Sequence, residues 1–153
     1  MQSDFCVATH ALVCLAHTKR AWKSRELAQN IRTTAPRVRK VLSALAPSGM
    51  VASKEGIDGG YVLARGPETI TLGDVAETLG IRCVSLSWES GGTDPHCIVS
   101  SGMGQEMRSI AQSLDDQCKR FLKRITIQRI VEDLRKHPSD PSQEKKKACR
   151  PVY

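Results

Sequence analysis

Residues 53–65, SKEGIDGGYVLAR, constrain the fold of this chain more than any other stretch. Gly56, Asp58, Gly59 and Gly60 punctuate two short strand-like runs, Met50 to Ser53 and Tyr61 to Ala64, and this is the pattern of a β-hairpin. Directly upstream, Thr34 to Pro47 has helical periodicity. Val38, Val41, Leu42 and Leu45 form its apolar stripe, while Arg37, Arg39, Lys40 and Ser43 lie off it. A basic helix delivered into such a hairpin is the layout that sets a helix in a DNA major groove with a hairpin beside it.

The segments before this unit complete it. Phe5 to His17 repeats Val7, Ala8, Ala11, Leu12 and Leu15 on one face, predicting an amphipathic first helix. Thr18 to Lys23 reads as a polar connector. Ser24 is an expected N-cap, with Glu26 in the first turn of a short helix over Arg25 to Asn30. Ile31 to Thr33 makes a tight turn, Thr34 caps the next helix, and Pro36 fits its first turn, where no N–H is required. Helix, turn, helix and hairpin together predict a winged helix-turn-helix over residues 1–80. Its last part is a capped start at Thr71 to Asp74 before the apolar run Val75 to Leu79.

Charge is distributed to match. Residues 1–65 hold ten Lys/Arg against four Asp/Glu, whereas 66–137 hold nine against ten, so the positive field lies on the proposed winged helix. A phosphate-binding surface requires such a concentration. No apolar run is long enough for a membrane span. The leading residues lack a basic start and are interrupted by Asp4 and His10, which argues against a secretory signal and for a cytoplasmic protein. Six cysteines without a C-x-x-C pair then predict neither a disulfide framework nor a ready-made zinc site.

Residues 81–101 read as an irregular loop containing Gly91, Gly92, Asp94 and Pro95, long enough to suggest a functional role. From about Gly102 to Arg124, Met107, Ile110, Ala111, Leu114, Cys118, Phe121, Leu122 and Ile125 recur in steps of three and four, which predicts a long amphipathic helix. Ile127, Ile130, Val131 and Leu134 continue the stripe into a shorter one. So long a stripe is most simply buried in a two-fold homodimer, making 102–137 dimerisation helices. Met107, Ile110, Leu114, Cys118, Phe121, Leu122 and Ile125 are its expected interface. Residues 138–153 read as a disordered basic tail in which Cys149 is incidental. The fold class is therefore mostly α with a small β-hairpin wing.

The order of these parts resembles the Rrf-two family of bacterial transcription regulators. ATHALVCLA, VLSALAPSGMV, GIDGGYVLAR, ETITLGDVAETLG and the long helix carry the resemblance, which runs from about Asp4 to Leu134. It implies a dimer whose winged domains read a palindromic double-stranded DNA operator, with long helices crossing between subunits. Two departures accompany it. Glu55 stands where the family wing commonly has Arg, leaving Lys54 to supply the cation. Cluster-binding members carry a regularly spaced cysteine triad before the long helix; here Cys97 fills one place, Met103 occupies the next, and Cys83 lies too far upstream.

The expected DNA contacts are Arg37, Arg39 and Lys40 from the third helix, Ser24, Arg25, Thr33 and Thr34 on the backbone, and Lys54 and Tyr61 from the wing. Cys14 and Cys118 lie on apolar stripes and are expected to be packing residues. Cys83 and Cys97 bracket the loop, and Cys97 stands near a helix start, which favours a thiolate. Cys6 and His10 are spaced to share one helix face. The resemblance implies that such positions can complete an iron–sulfur cluster from the partner subunit, so a mixed site of Cys6, His10, Cys83 and Cys97 is one reading. A metal-free thiol switch and no sensing role are the others. No phosphate-cradling glycine loop and no nucleophile–base pattern is present, which excludes the common enzyme classes. A winged-helix protein–protein adaptor is the rival from another class, and the clustered charge speaks against it.

Overall fold

The computed structural model describes residues 2–86, 91–92, 94 and 96–136. The expected disordered tail over 138–153, with Cys149, lies outside the described residues. The first helix, α1 (Gln2–Thr18), turns Val7, Ala8, Ala11, Leu12 and Leu15 inward. It ends where Lys19 enters the left-handed region at φ 52°. The next helix, α2 (Ser24–Ile31), is followed by α3 (Ala35–Leu45), and their turn is made by Arg32, also left-handed at φ 59°. Thr33 N–H closes that turn onto Ala28 O at 2.9 Å. Non-glycine residues in this region cost about 1–2 kcal/mol each. The neighbouring burial of Leu27, Val38 and Leu42 offsets that cost, at about 1.5–3 kcal/mol for each large aliphatic side chain.

The N-cap of α2 is Lys23 rather than Ser24. Lysine has no acceptor, and the cap is made from the other side: Glu26 Oε2 accepts from Lys23 N–H at 2.8 Å. Ser24 is thereby placed inside the first turn with its hydroxyl turned to other work. Thr34 does stand at the N-cap of α3, but its side chain makes no capping hydrogen bond.

A short 3-10 turn (Ala46–Ser48) leads into the hairpin of β1 (Val51–Lys54) and β2 (Gly60–Leu63), antiparallel with Val51 opposite Leu63 and Lys54 opposite Gly60. The supposedly polar connector before α2 adds a third rung. Trp22 N–H donates to Tyr61 O at 3.0 Å and Tyr61 N–H to Trp22 O at 2.8 Å. Trp22 is buried, and its indole N–H is satisfied by Thr18 Oγ1 at 2.7 Å. Only glycine fits opposite it, since a Cβ on Gly60 would stand 2.5 Å from Trp22 O.

The fourth helix, α4 (Leu72–Thr78), is capped reciprocally: Asp74 N–H donates to Thr71 Oγ1 at 3.0 Å, and Thr71 N–H to Asp74 Oδ2 at 3.1 Å. The long helix, α5, spans Ile98–Leu122, so residues 98–101 of the expected loop are helical. Gly102, the expected start of the long helix, sits inside it with open space where a Cβ would be. Cys97 provides the N-cap instead.

The last helix, α6 (Ile127–Lys136), folds back onto α1 of the same chain and buries Ile127 and Val131 there. The reversal is fixed by Leu72 N–H to Ile125 O at 2.8 Å and Ile127 N–H to Ile70 O at 2.9 Å. Leu122 and Ile125, expected at the dimer interface, accordingly pack against the protein's own core. Among the described residues, no helix is long and apolar enough to cross a membrane.

Candidate nucleic-acid interface

Burial of Val38, Val41, Leu42 and Leu45 fixes which side of α3 faces out, and Arg39 and Lys40 lie exposed on that side. Arg39 Nη1 donates to Ser24 Oγ at 3.2 Å, so the start of α2 braces the guanidinium. Arg25 is exposed on the adjoining turn, and Thr33 and Thr34 lie at the start of α3. The unengaged Thr34 hydroxyl and the N-terminal amides of α3 form a polar end with donors to spare.

Arg37 is placed differently from its neighbours. Its Nη2 lies 2.7 Å and its Nε 3.0 Å from Asp4 Oδ1, and Ser3 Oγ accepts from the same guanidinium. That hydrogen-bonded pair is the main reason the Asp4 carboxyl sits below its ordinary range. In this arrangement Arg37 ties α3 to the start of α1 instead of presenting a free cation.

The wing is also rearranged relative to expectation. Tyr61 is half-buried against the core, because its strand pairs with Trp22. The tip carries Glu55, Ile57 and Asp58 and no basic residue. Lys54 is exposed at the last position of β1. Three basic residues absent from the sequence reading, Lys19, Arg20 and Lys23, stand across from it on the connector. Their signal was a run of cations around a lone tryptophan; only the strand pairing of Trp22 gives that run a place.

The cysteines fall into separate environments. Cys6 and His10 are both exposed and line one groove of about 720 Å³ between α1 and α6, which Phe5, Val13, Ile130 and Leu134 make apolar. Cys14 is buried. Cys97 is exposed, and Ser100 N–H donates to its Sγ at 3.4 Å. Cys83 is half-buried beside a residue that the stripe did not single out, Asp115. Although charged, Asp115 is only 1% exposed. Its Oδ1 accepts from Cys83 N–H at 2.6 Å and Val84 N–H at 3.1 Å, while Oδ2 meets Lys119 Nζ at 2.8 Å. Burial, then the Asp115 carboxylate and Cys118, push the Cys83 thiol up. Cys83 is thus a poor thiolate donor in this setting.

Among the described residues no group of three or more His, Cys, Asp or Glu is gathered for a metal ion. The set Cys6, His10, Cys83 and Cys97 therefore does not form a cluster site within one chain.

The comparisons with known proteins agree with this fold. A family model described as "Rrf2: Iron-dependent Transcriptional regulator" matches residues 1–133. A protein of Aquifex aeolicus (strain VF5) named "Putative HTH-type transcriptional regulator" is 29% identical over 138 residues, covering 84% of this chain and 90% of that protein. The crystal structure of a "putative transcriptional regulator" from Lactobacillus plantarum superposes with a TM-score of 0.76 at 25% identity, covering 95% of this chain and 98% of that one. T. potens IscR has a TM-score of 0.67 at 18% identity, with 94% of each chain covered. CymR of B. subtilis, described as its global cysteine regulator, has a TM-score of 0.64 at 20% identity, with 87% and 96% covered; both likenesses are of fold. The chain is a winged-helix transcriptional regulator and not an enzyme, and it belongs to the Rrf2 family.

Proposed function

We propose that this chain acts in the cytoplasm as a homodimeric repressor that binds a palindromic operator, with each α3 in a major groove and each wing beside it. The observation that carries the reading is the outward side of α3, where Arg39 and Lys40 are exposed while the opposite side is fully buried. A helix so oriented offers cations to base edges and phosphates without disturbing its core. Arg25, Thr33 and Thr34 supply backbone contacts, and Arg37 sets the angle of α3 through Asp4. Two-fold pairing through α5 matches a two-fold operator. Arg39→Ala is expected to lower operator affinity by about 1–3 kcal/mol at fixed salt. Unchanged affinity in a fluorescence titration would overturn the docking. Binding that ignores salt, or is absent from duplex DNA altogether, would favour the adaptor role instead.

The signal enters, in this reading, at the start of α5. Cys97 is the accessible thiol there, whereas Cys83 is held as a protonated, half-buried one. With hydrogen peroxide as oxidant, the Cys97 sulfur attacks one oxygen, the O–O bond breaks, the departing hydroxide leaves as water with the thiol proton, and a sulfenic acid remains. The change falls on the N-cap of the long helix and so alters how α5 and the two wings are placed. Peroxide should release DNA from the wild type and leave Cys97→Ser bound. Release from both proteins would exclude Cys97. Stoichiometric iron and sulfide in anaerobically purified protein would instead favour a cluster shared across the dimer by Cys6, His10 and the loop cysteines.

A further inference from the structure

Between the α1–α2 connector and the wing lies a cleft of about 510 Å³ whose lining includes Lys19, Arg20, Lys23 and Lys54. We propose that this cleft clamps a phosphodiester group of duplex DNA, with Lys19, Lys23 and Lys54 as its cations. The proposal rests on the DNA-binding reading above and adds to it a site that neither α3 nor the wing tip supplies.

The cleft is built rather than incidental. The two Trp22–Tyr61 backbone hydrogen bonds hold the connector against the wing strand, and the approach of the connector depends on the missing side chain at Gly60. Trp22 is locked by burial and by its bond to Thr18, and Lys19 is held in a left-handed conformation that aims the connector toward the wing. Opposing charges are unevenly used. Arg20 lies 4.2 Å over the Trp22 ring and is paired with Glu26 at 3.4 Å, so the acid in the wall already has a partner. Asp58 is the remaining acid in the lining. Lys19, Lys23 and Lys54 make no ion pair among the described residues, leaving them an excess of two charges over Asp58.

Position favours a nucleic-acid backbone over a free anion. Lys23 adjoins Ser24, which braces Arg39, so the cationic line runs from α3 across the connector to Lys54. Since the wing tip is acidic and apolar, the phosphates flanking the groove read by α3 meet their nearest wing-side cation at Lys54, where β1 enters the turn. A contact of this kind fixes register and carries no sequence information.

The test uses the full chain with two unrelated labelled duplexes and a series of salt concentrations. Lys23→Ala and Lys54→Ala are each expected to weaken binding about fivefold on both duplexes, and to reduce the slope of log affinity against log salt by about 0.9. Lys136→Ala, on the far end of α6, should match the wild type. If the wild type binds but the cleft variants behave as Lys136→Ala does, the clamp is refuted and the DNA reading survives. If the wild type shows no salt-dependent binding to either duplex, the DNA reading itself fails and takes the clamp with it. A loss confined to one duplex would mark a base contact and overturn the phosphate assignment. Displacement of both duplexes by millimolar inorganic phosphate at constant ionic strength, abolished in Lys23→Ala, would assign the cleft to a free anion instead. Circular dichroism of the exposed-lysine variants verifies that they fold.

Discussion

Asp115→Ala is expected to destabilise the protein by about 3 kcal/mol and to lower the thermal midpoint by about 6–12 °C. The reason is geometric. One buried carboxylate holds three groups at once, with Cys83 and Val84 amides on Oδ1 and the Lys119 ammonium on Oδ2. Alanine leaves two partly buried N–H groups without an acceptor and removes the charge that balances Lys119. Asp115→Asn separates these contributions. Its carbonyl can replace Oδ1 and keep both amides, while its NH2 faces Lys119, whose side chain, 35% exposed, can turn to water. The asparagine variant should therefore lose only about 1 kcal/mol.

The same site predicts a pH dependence. The Lys119 ammonium first, then Val84 N–H and Cys83 N–H, outweigh burial and hold the Asp115 carboxyl below its ordinary range. A carboxyl depressed in the folded state contributes stability that is full above its unfolded pKa, about 3.9, and is lost as pH falls through the folded value. The stability gap between wild type and Asp115→Asn should thus be intact at neutral pH and close below about pH 4. Equal midpoints for wild type and Asp115→Ala at pH 7 would show that the tie between residues 83–84 and α5 does not contribute. Because that tie joins the segment after α4 to the long helix, its loss should also loosen any signal passing between them.

How much of this was legible depended on whether the determining contact was local. The stripe Val38–Val41–Leu42–Leu45 and the glycines of the hairpin announce their elements, since periodicity and turn chemistry act within a few residues. Trp22 was invisible as a strand partner because its pairing with Tyr61 spans the whole of α2 and α3. The stripe through α5 and α6 gave an apolar face but not what covers it: Leu122 and Ile125, expected to face a second copy, are partly buried against the protein's own core. Asp115 had left one trace: an acid placed between Ala111 and Cys118 on an otherwise apolar face. An ionised group at such a position requires partners from elsewhere, and residues 83–84 provide them. On α3, charge alone did not distinguish Arg37 from Arg39; only Asp4 beside Arg37 separates them.

Leu114→Glu is expected to convert the protein from a dimer to a monomer and to weaken operator binding at least 100-fold, as loss of a linked second half-site does. After the chain has buried Ala111 and Asp115 against itself, the other side of α5 still exposes Met103, Ile110, Leu114 and Phe121, at 39%, 44%, 49% and 61%. These residues run along a helix of 25 residues whose main packing partner in its own chain is α4. A continuous apolar row of this length is unusual on a monomer surface. In a two-fold dimer every substitution is made twice, so losing the half of Leu114 still exposed forfeits about 1.5–3 kcal/mol of burial before the desolvation of two carboxylates is added. Leu114 is already half-exposed in the isolated chain, and the variant should keep its helical circular dichroism. Sedimentation equilibrium at micromolar protein reads the assembly state directly. A wild type that sediments as a monomer, or a variant that dimerises as well as the wild type, would remove α5 as the interface. A monomeric variant that still bound the operator at full affinity would leave the winged domain reading DNA alone, and the palindrome would no longer be required.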